Sequence, residues 1–349
     1  MRFSTADERM KQGLHEQIFT GAVLLIARGT NLLFHQTYGI LGDAGTDPVK
    51  PDTLFDLASL TKVLAVTPSW ILMVTEDPSL LDQSIGRWFP NAPKDKHCIT
   101  PRCLLAHASG MPAWRPYYLL PASRHTDEDT AVRILAEPLD YSPGQGCIYS
   151  DLGFMLLGFI IEKETGRNLE QFSRERIYEP LGLAEDLLFC PNNLKRIAMT
   201  RVGDTPGLVN DLNARALGGI SGHAGLFGTA KGAAALSGEI LMSLKESGRF
   251  FDKETTRAFC ARAGFTPDST RTLGFDTPSE EGSTSGRLFS KDSVGHTGFT
   301  GVSLWIDIQR DLIVVLLTNR VFLGQADLRV KEFRPLLHDA VMESEFSQE

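Results

Sequence analysis

Apolar and polar positions follow two different periods along this chain. Residues 5 to 18 space their apolar side chains as an amphipathic helix does. Two apolar, partly alternating runs come next, GAVLLIARG and NLLFHQTYG, separated by Gly29-Thr30-Asn31, a pattern that predicts a hairpin. Near the other end GVSLWIDIQRDLIVVLLTNR repeats that pattern around a turn at Gln309-Arg310-Asp311, and Lys331 to Met342 reads as a closing helix. Between them helical spacing dominates, over Leu64 to Glu76, Arg102 to Ala108, Asp129 to Ala136, Leu152 to Thr165, Leu169 to Ile177 and Ala230 to Lys245. The pattern therefore predicts an α/β chain of the α+β kind, which starts in an antiparallel sheet, makes a long helical excursion and returns to the sheet. The segment from Thr266 to Ser293, rich in Ser, Thr, Gly, Asp and Glu, reads as a long surface loop and a candidate lid.

Composition narrows the class. With 349 residues, 42% hydrophobic and 22% charged, the chain can bury a large core. Its formal net charge of -8 offers no basic stripe for phosphates, which argues against nucleic acid as a partner. The longest apolar run, Leu152 to Ile161, is too short to cross a bilayer and reads as a buried helix, so no membrane span is predicted. The N-terminal stretch MRFSTADERMKQGLHEQIF has no uninterrupted apolar region of secretory type, which places the protein in the cytoplasm. Oligomeric state is not legible in the sequence.

Five cysteines, at 98, 103, 147, 190 and 260, lack the dense spacing of a disulfide scaffold and fit a reducing compartment. The stretch from His97 to His107 offers two imidazoles and two thiols. Thr100-Pro101, however, reads as a helix start that buries Cys98 and Cys103 as small apolar residues. Structural zinc sites use closer cysteine pairs, so neither a metal nor another cofactor is predicted.

Candidate chemistry begins at Ser59-Leu-Thr-Lys62. A hydroxyl needs a base within reach and a site that favours negative charge. If a helix begins at Asp56 or Ala58, spacing of three puts Ser59 and Lys62 on one face, with Ser59 in the first turn where free amides favour an oxyanion. Leu57, Leu60, Val63 and Leu64 supply the apolar surroundings that desolvate Lys62. The plainer reading is a capping serine and a solvated lysine, and one such tetrapeptide is expected by chance about once in a chain of this length.

Two further stretches supply partners. Tyr149-Ser150-Asp151 follows the turn YSPGQG and opens the apolar helix LGFMLLGFIIEKETG, where the tyrosine either aims its hydroxyl at a serine or packs behind a Ser150 or Asp151 cap. Val294 to Gly301 reads VGHTGFTG, in which small residues around His296 and Thr297 let a backbone amide approach a bound carbonyl.

In order, these pieces resemble the signature of the serine β-lactamase and penicillin-binding protein superfamily, and specifically its class C β-lactamase-related branch. FDLASLTK, ITPRCLLAHASGMP, YSPGQGCIYSDLGFMLLGFIIEKETG, EPLGL and the GHTG stretch carry the likeness across nearly the whole chain. The resemblance implies a single β-lactamase/transpeptidase-like domain with its α/β part over about 1–60 and 222–349, its helical part over about 61–221, and the active site between them. It also implies that Ser59 is acylated, Lys62 is its proton acceptor or electrostatic partner, and Tyr149 is the general acid or base. His296 stands in the usual lysine position, and the amides of Ser59 and Phe299 form an oxyanion hole beside Asp151, Thr297 and Gly298. Asp151 stands where asparagine is usual, and His296 is largely neutral near pH 7. Both departures imply poor β-lactam hydrolysis.

The stretch VNDLNARALGGISGHAGLFGTAKG resembles a subgroup associated with muropeptide breakdown, which usually carries histidine at the position of Asn210. Gly218 to Gly228 reads equally as a loop that lets helix and sheet pack, and His107 and His223 read as structural. The implied substrate is a small polar amide or ester, with a muropeptide fragment favoured. A carboxylesterase, a weak β-lactamase and a non-catalytic penicillin-binding-like protein are the alternatives.

Overall fold

A computed structural model describes residues 2–42, 47–192, 196–246 and 248–346. Helix α1 (Ser4–His15) leads into β1 (Gly21–Arg28), β2 (Asn31–Gly39) and the two-residue β3 (Phe55–Asp56). The helical excursion then runs through α2 (Thr67–Glu76), α3 (Pro101–Leu105), α4 (Asp127–Ala136), α5 (Asp151–Thr165) and α6 (Leu169–Ser173). Strand β4 (Leu187–Phe189), α7 (Leu212–Ala216), β5 (Leu226–Gly228), α8 (Ala230–Lys245) and α9 (Lys253–Cys260) follow. The chain closes with β6 (Val294–Thr297), β7 (Ser303–Asp307), β8 (Leu312–Thr318) and α10 (Val330–Phe346).

The main sheet is antiparallel in the order β2-β1-β8-β7-β6, so strands from the two ends of the chain pair at its centre. Alternation of side chains explains why β1 and β8 are buried throughout most of their length. Ala22, Leu24, Ile26, Leu312, Val314 and Leu316 face α1 and α10, while Val23, Leu25, Ile313, Val315 and Leu317 face the larger core on the α8 side. Helix α5 is apolar all round because it lies inside the helical part, with Leu152 to Ile161 entirely buried. A second sheet, β3-β5-β4, ties the residues before Ser59 to the strand after the glycine loop.

Several expectations change. The predicted helix through Ser59 and Leu64 is a 3-10 turn over Ala58–Leu60, then a π turn over Lys62–Val66, and α-helical only from Thr67. Pro68 explains the π turn: it has no N–H to offer the carbonyl of Leu64, and that carbonyl accepts the Tyr178 hydroxyl at 2.8 Å instead. The stretch Ala58–Glu76 is long and apolar enough to cross a membrane by length and composition, and 83% of its window is buried inside the fold. Leu169 to Ile177 likewise divides into α6 and a π turn over Arg174–Tyr178.

The segment from Thr266 to Ser293 is not a loose loop along its whole length. Leu273 and Phe275 are buried in the main core, and Asp276 exchanges two backbone hydrogen bonds with Gly295 of β6. Cys103 is buried, but Cys98 is exposed because it lies in the turn before α3, with its Sγ near the Asp95 carbonyl. Among the described residues no three His, Cys, Asp or Glu side chains gather as a metal site would require.

Candidate active site

The turn that carries Ser59 is fixed by a buried carboxyl. Asp56, at the end of β3, accepts the Ala58 amide at 2.8 Å and the Asn210 amide at 2.6 Å, while Thr300 Oγ1 donates to the Asp56 carbonyl at 2.8 Å. Burial pushes the Asp56 carboxyl up to about 6. Ala58 is left-handed, with φ of 46°, a conformation uncommon for a residue with a Cβ and held here by these contacts. Gly298 allows β6 to approach this turn, since a Cβ there would lie 2.4 Å from Val302 Cγ2 and 2.8 Å from the Leu57 carbonyl oxygen.

Lys62 is fully buried, and its three N–H groups have three acceptors: Ser59 Oγ at 3.1 Å, Asp151 Oδ1 at 2.8 Å and the His223 carbonyl at 3.0 Å. Burial drives the ammonium pKa down, but the attraction of Asp151 and Tyr149 outweighs it and the net shift is upward. Lys62 is therefore a charged donor, and the expected desolvation does not leave it a free amine. The glycine loop supplies its third acceptor. A Cβ on Gly222 would meet the Phe154 carbonyl at 2.0 Å, so only glycine lets the loop pack on α5 and bring His223 onto Lys62.

Tyr149 Oη donates to Ser59 Oγ at 2.8 Å. Its ring lies between cations and imidazoles: Lys62 Nζ is 4.9 Å and Arg271 Cζ 5.3 Å from the ring centroid, and the rings of His107 and His296 are centred 4.6 and 5.7 Å away. Burial raises the phenol pKa more than Lys62 lowers it, so Tyr149 rests as a neutral phenol. Its place is set by the entry to α5. Ser150 caps that helix by accepting the Gly153 amide at 3.1 Å, and the Ser150 amide donates to His107 Nδ1 at 3.0 Å. His107 thus holds the tyrosine segment from behind, and burial keeps its ring neutral.

His296 is also buried and neutral, held there by desolvation and by Arg271 and Lys62. Its Nδ1 faces the Thr297 carbonyl at 2.8 Å, which makes Nδ1 the protonated nitrogen and leaves a lone pair on Nε2. Among the described residues Nε2 has no partner.

A pocket of about 740 Å³ opens over this group. Ser59, Tyr149, Asp151, His296, Thr297, Gly298 and Phe299 all line it, and Lys62 lies beneath, so the structure brings the residues singled out in the sequence to one place. It adds others: Asp211, Arg271 and Arg334 line the same pocket, and Arg320 backs Phe299. Asp211 bonds to His223 Nε2 at 2.8 Å; burial raises its carboxyl pKa, but His223 outweighs this and the net direction is down. The one signal for Asp211 and His223 was the glycine-rich stretch they share. Arg271 sat in the presumed loop, and the two arginines near the end of the chain carried no motif.

Comparison with known proteins agrees with this geometry. The family model described as Beta-lactamase matches residues 6–336. An Escherichia coli (strain K12) protein, provisionally named a D-alanyl-D-alanine carboxypeptidase, is 30% identical across 91% of this chain and 83% of its own. An N-acetylmuramyl-L-alanine amidase of Bacillus subtilis (strain 168) is 30% identical across 86% of this chain and 77% of its own. Among solved structures, a penicillin-binding protein homologue from Caulobacter crescentus superposes with a TM-score of 0.76 at 20% identity, covering 100% of this chain and 98% of the other.

Proposed function

The chain belongs to the β-lactamase family and is a serine hydrolase of that family, and from that premise we propose that Ser59 is its nucleophile and a muropeptide amide its substrate. One observation carries the reading of the nucleophile: Ser59 Oγ accepts from both Lys62 Nζ and Tyr149 Oη at the floor of the pocket. In acylation Ser59 Oγ bonds to the substrate carbonyl carbon in a concerted relay. The Tyr149 O–H, which donates to Ser59 Oγ at rest, turns to the leaving amine and releases its proton there as Tyr149 Oη takes the proton of Ser59 Oγ, and the bond from the protonated amine to the carbonyl carbon breaks. Water reverses the sequence on the acyl-enzyme. Tyr149 begins and ends each half as a neutral phenol, which its raised pKa favours.

Lys62 then acts as a fixed positive charge beside the oxygen that gains electron density, and the amides of Ser59 and Phe299 take the carbonyl oxygen. His296 Nε2, with Thr297 and Gly298, lines the path of the substrate, and Asp151 keeps Lys62 charged. The muropeptide assignment rests on the named amidase and carboxypeptidase relatives and on the stretch from Val209 to Gly232. All five cysteines are free, in keeping with a reducing compartment such as the cytoplasm. A carboxylesterase is the second reading, favoured by the exposed apolar side chains of Trp114, Phe299 and Leu328 along the pocket.

Intact-protein mass after fluorophosphonate treatment, with Ser59→Ala in parallel, tests the nucleophile. One adduct on the wild type and none on the variant is expected; equal labelling of both removes Ser59 from the mechanism. Turnover of N-acetylmuramyl-L-alanyl peptides against nitrophenyl acetate then separates the substrates. Ester cleavage without amide cleavage would overturn the muropeptide assignment.

A further inference from the structure

The carbonyls of the loop between β6 and β7 are held by two arginines, beside the Gly301 amide and Thr318 Oγ1, which donate to the Gly298 and Thr300 carbonyls at 3.1 and 3.0 Å. Arg334 Nη2 donates to the Gly298 carbonyl at 2.6 Å and its Nε to the Gly301 carbonyl at 3.1 Å. Arg320 donates to the Phe299 carbonyl from Nε at 2.9 Å and from Nη2 at 2.6 Å, and its backbone amide donates to the Thr300 carbonyl at 3.2 Å. Four successive carbonyls, from Gly298 to Gly301, are thus occupied by two arginines.

Both side chains are buried; among the described residues Arg334 feels no carboxylate, whereas Arg320 has the charge of Asp327 to offset part of its burial. A buried cation without a counter-charge is costly, and a neutral donor would satisfy a carbonyl at less cost. The guanidinium adds a rigid fork of donors and a standing positive charge.

The geometry has a consequence for the amide on the other side of the peptide. The Gly298 carbonyl and the Phe299 N–H belong to one planar trans unit and point in opposite directions. The Gly298 carbonyl accepts both Arg334 and the more distant Gly301 amide, so the shorter bond from Arg334 helps fix the direction of the N–H. We propose that Arg334, supported by Arg320, is a positioning residue for the oxyanion hole: it aims the Phe299 amide at the acyl carbonyl and places an unpaired positive charge behind the loop. This rests on the reading of Ser59 and Phe299 above. Neither arginine touches the reacting atoms in this role, and their effect is transmitted through one peptide plane and the field across it.

The test is the polarisation of the acyl-enzyme carbonyl, read by difference infrared spectroscopy with a nitrophenyl ester labelled with ¹³C at the carbonyl, in the full-length wild type, Arg334→Gln and Arg334→Lys. Arg334→Gln should move the carbonyl band to higher wavenumber and lower kcat per phosphonate-titrated site by about 30-fold, with KM within about threefold. Arg334→Lys, which loses the fork and, because burial already pushes the guanidinium down to about 9, keeps only part of the charge, should fall between it and the wild type. If Arg334→Gln does not fold, the intermediate band shift in Arg334→Lys decides. An unshifted band and unchanged kcat per titrated site, with only the melting temperature lowered, would make Arg334 a structural staple and overturn the proposal. A wild type that forms no adduct at Ser59 removes the acyl-enzyme reading itself, and this inference with it, a result distinct from a normal adduct with an unshifted band.

Discussion

On the helical wall of the pocket, each buried polar group meets a carboxylate within hydrogen-bond reach: Lys62 faces Asp151, and His223 faces Asp211, each at 2.8 Å. On the sheet wall, the side chains of Arg320 and Arg334 hydrogen-bond only to backbone carbonyls, and His296 is neutral. The first arrangement is balanced and full of polar hydrogens, and it suits groups that exchange protons. The second carries excess positive charge in a rigid loop and suits a place where negative charge develops. In the proposed mechanism one cleft thus divides the two demands of acyl transfer between its walls.

The division can be broken most severely at Tyr149. Tyr149→Phe keeps the ring between its cations and removes the only proton-carrying atom it offers Ser59, so kcat should fall by about 10²–10⁴-fold on amide and ester substrates alike. A fall below about tenfold would mean that proton transfer on the helical wall runs through another group.

Asp151→Asn sharpens the comparison by making the helical wall resemble the sheet wall, with a buried cation lacking its carboxylate. Asp151 raises the Lys62 pKa, so its loss lowers it, and the alkaline limb of the kcat profile should move to lower pH with a several-fold loss of rate there. A profile that keeps its shape would separate Lys62 charge from turnover. If the carboxylate also sets substrate choice, the ratio of peptide to ester turnover should shift with it.

The smallest effect concerns the seam, where Asp56 joins the two walls. Its folded pKa of about 6 lies above the ordinary carboxyl value, so the folded state binds the proton more tightly. The stability this gives is complete below about pH 4 and is lost as pH rises through about 6, by up to about 3 kcal/mol. Urea unfolding of the wild type and Asp56→Asn at pH 4 and pH 7 should show the wild-type advantage shrinking by that order. A constant difference would place the Asp56 titration elsewhere.

The walls were not equally legible in the sequence. The strands and long helices of the fold followed from periods of two and of 3.6, and α8 matches its expected limits at Ala230 and Lys245. The second sheet did not, because β3, β4 and β5 have only two or three residues each, too few to show alternation. Nor did the π turn after Lys62, which depends on Pro68 together with a tyrosine 114 positions from Leu64. Ser59, Lys62, Tyr149 and Asp151 stood out because side chains that bond to one another occur in motifs with fixed spacing. Arg320 and Arg334 did not, since a side chain that bonds only to backbone carbonyls constrains no residue type at the other end. Leu273 and Phe275 likewise show no period within a polar segment, where two apolar residues suffice to anchor its middle.

The hydrogen bond from Thr300 to Asp56 spans 244 positions, and the central strands β1 and β8 come from opposite ends of the chain. During synthesis, therefore, Ser59, Lys62 and Tyr149 leave the ribosome long before the loop that faces them. Helices α2 to α6 can form from local contacts, but the sheet must wait for its last strands, and closing so long a loop is slow. The nascent chain carries Ser59, the proposed nucleophile, well before it carries a cleft, so hydrolytic capacity should arise late and all at once, with the docking of β8 beside β1.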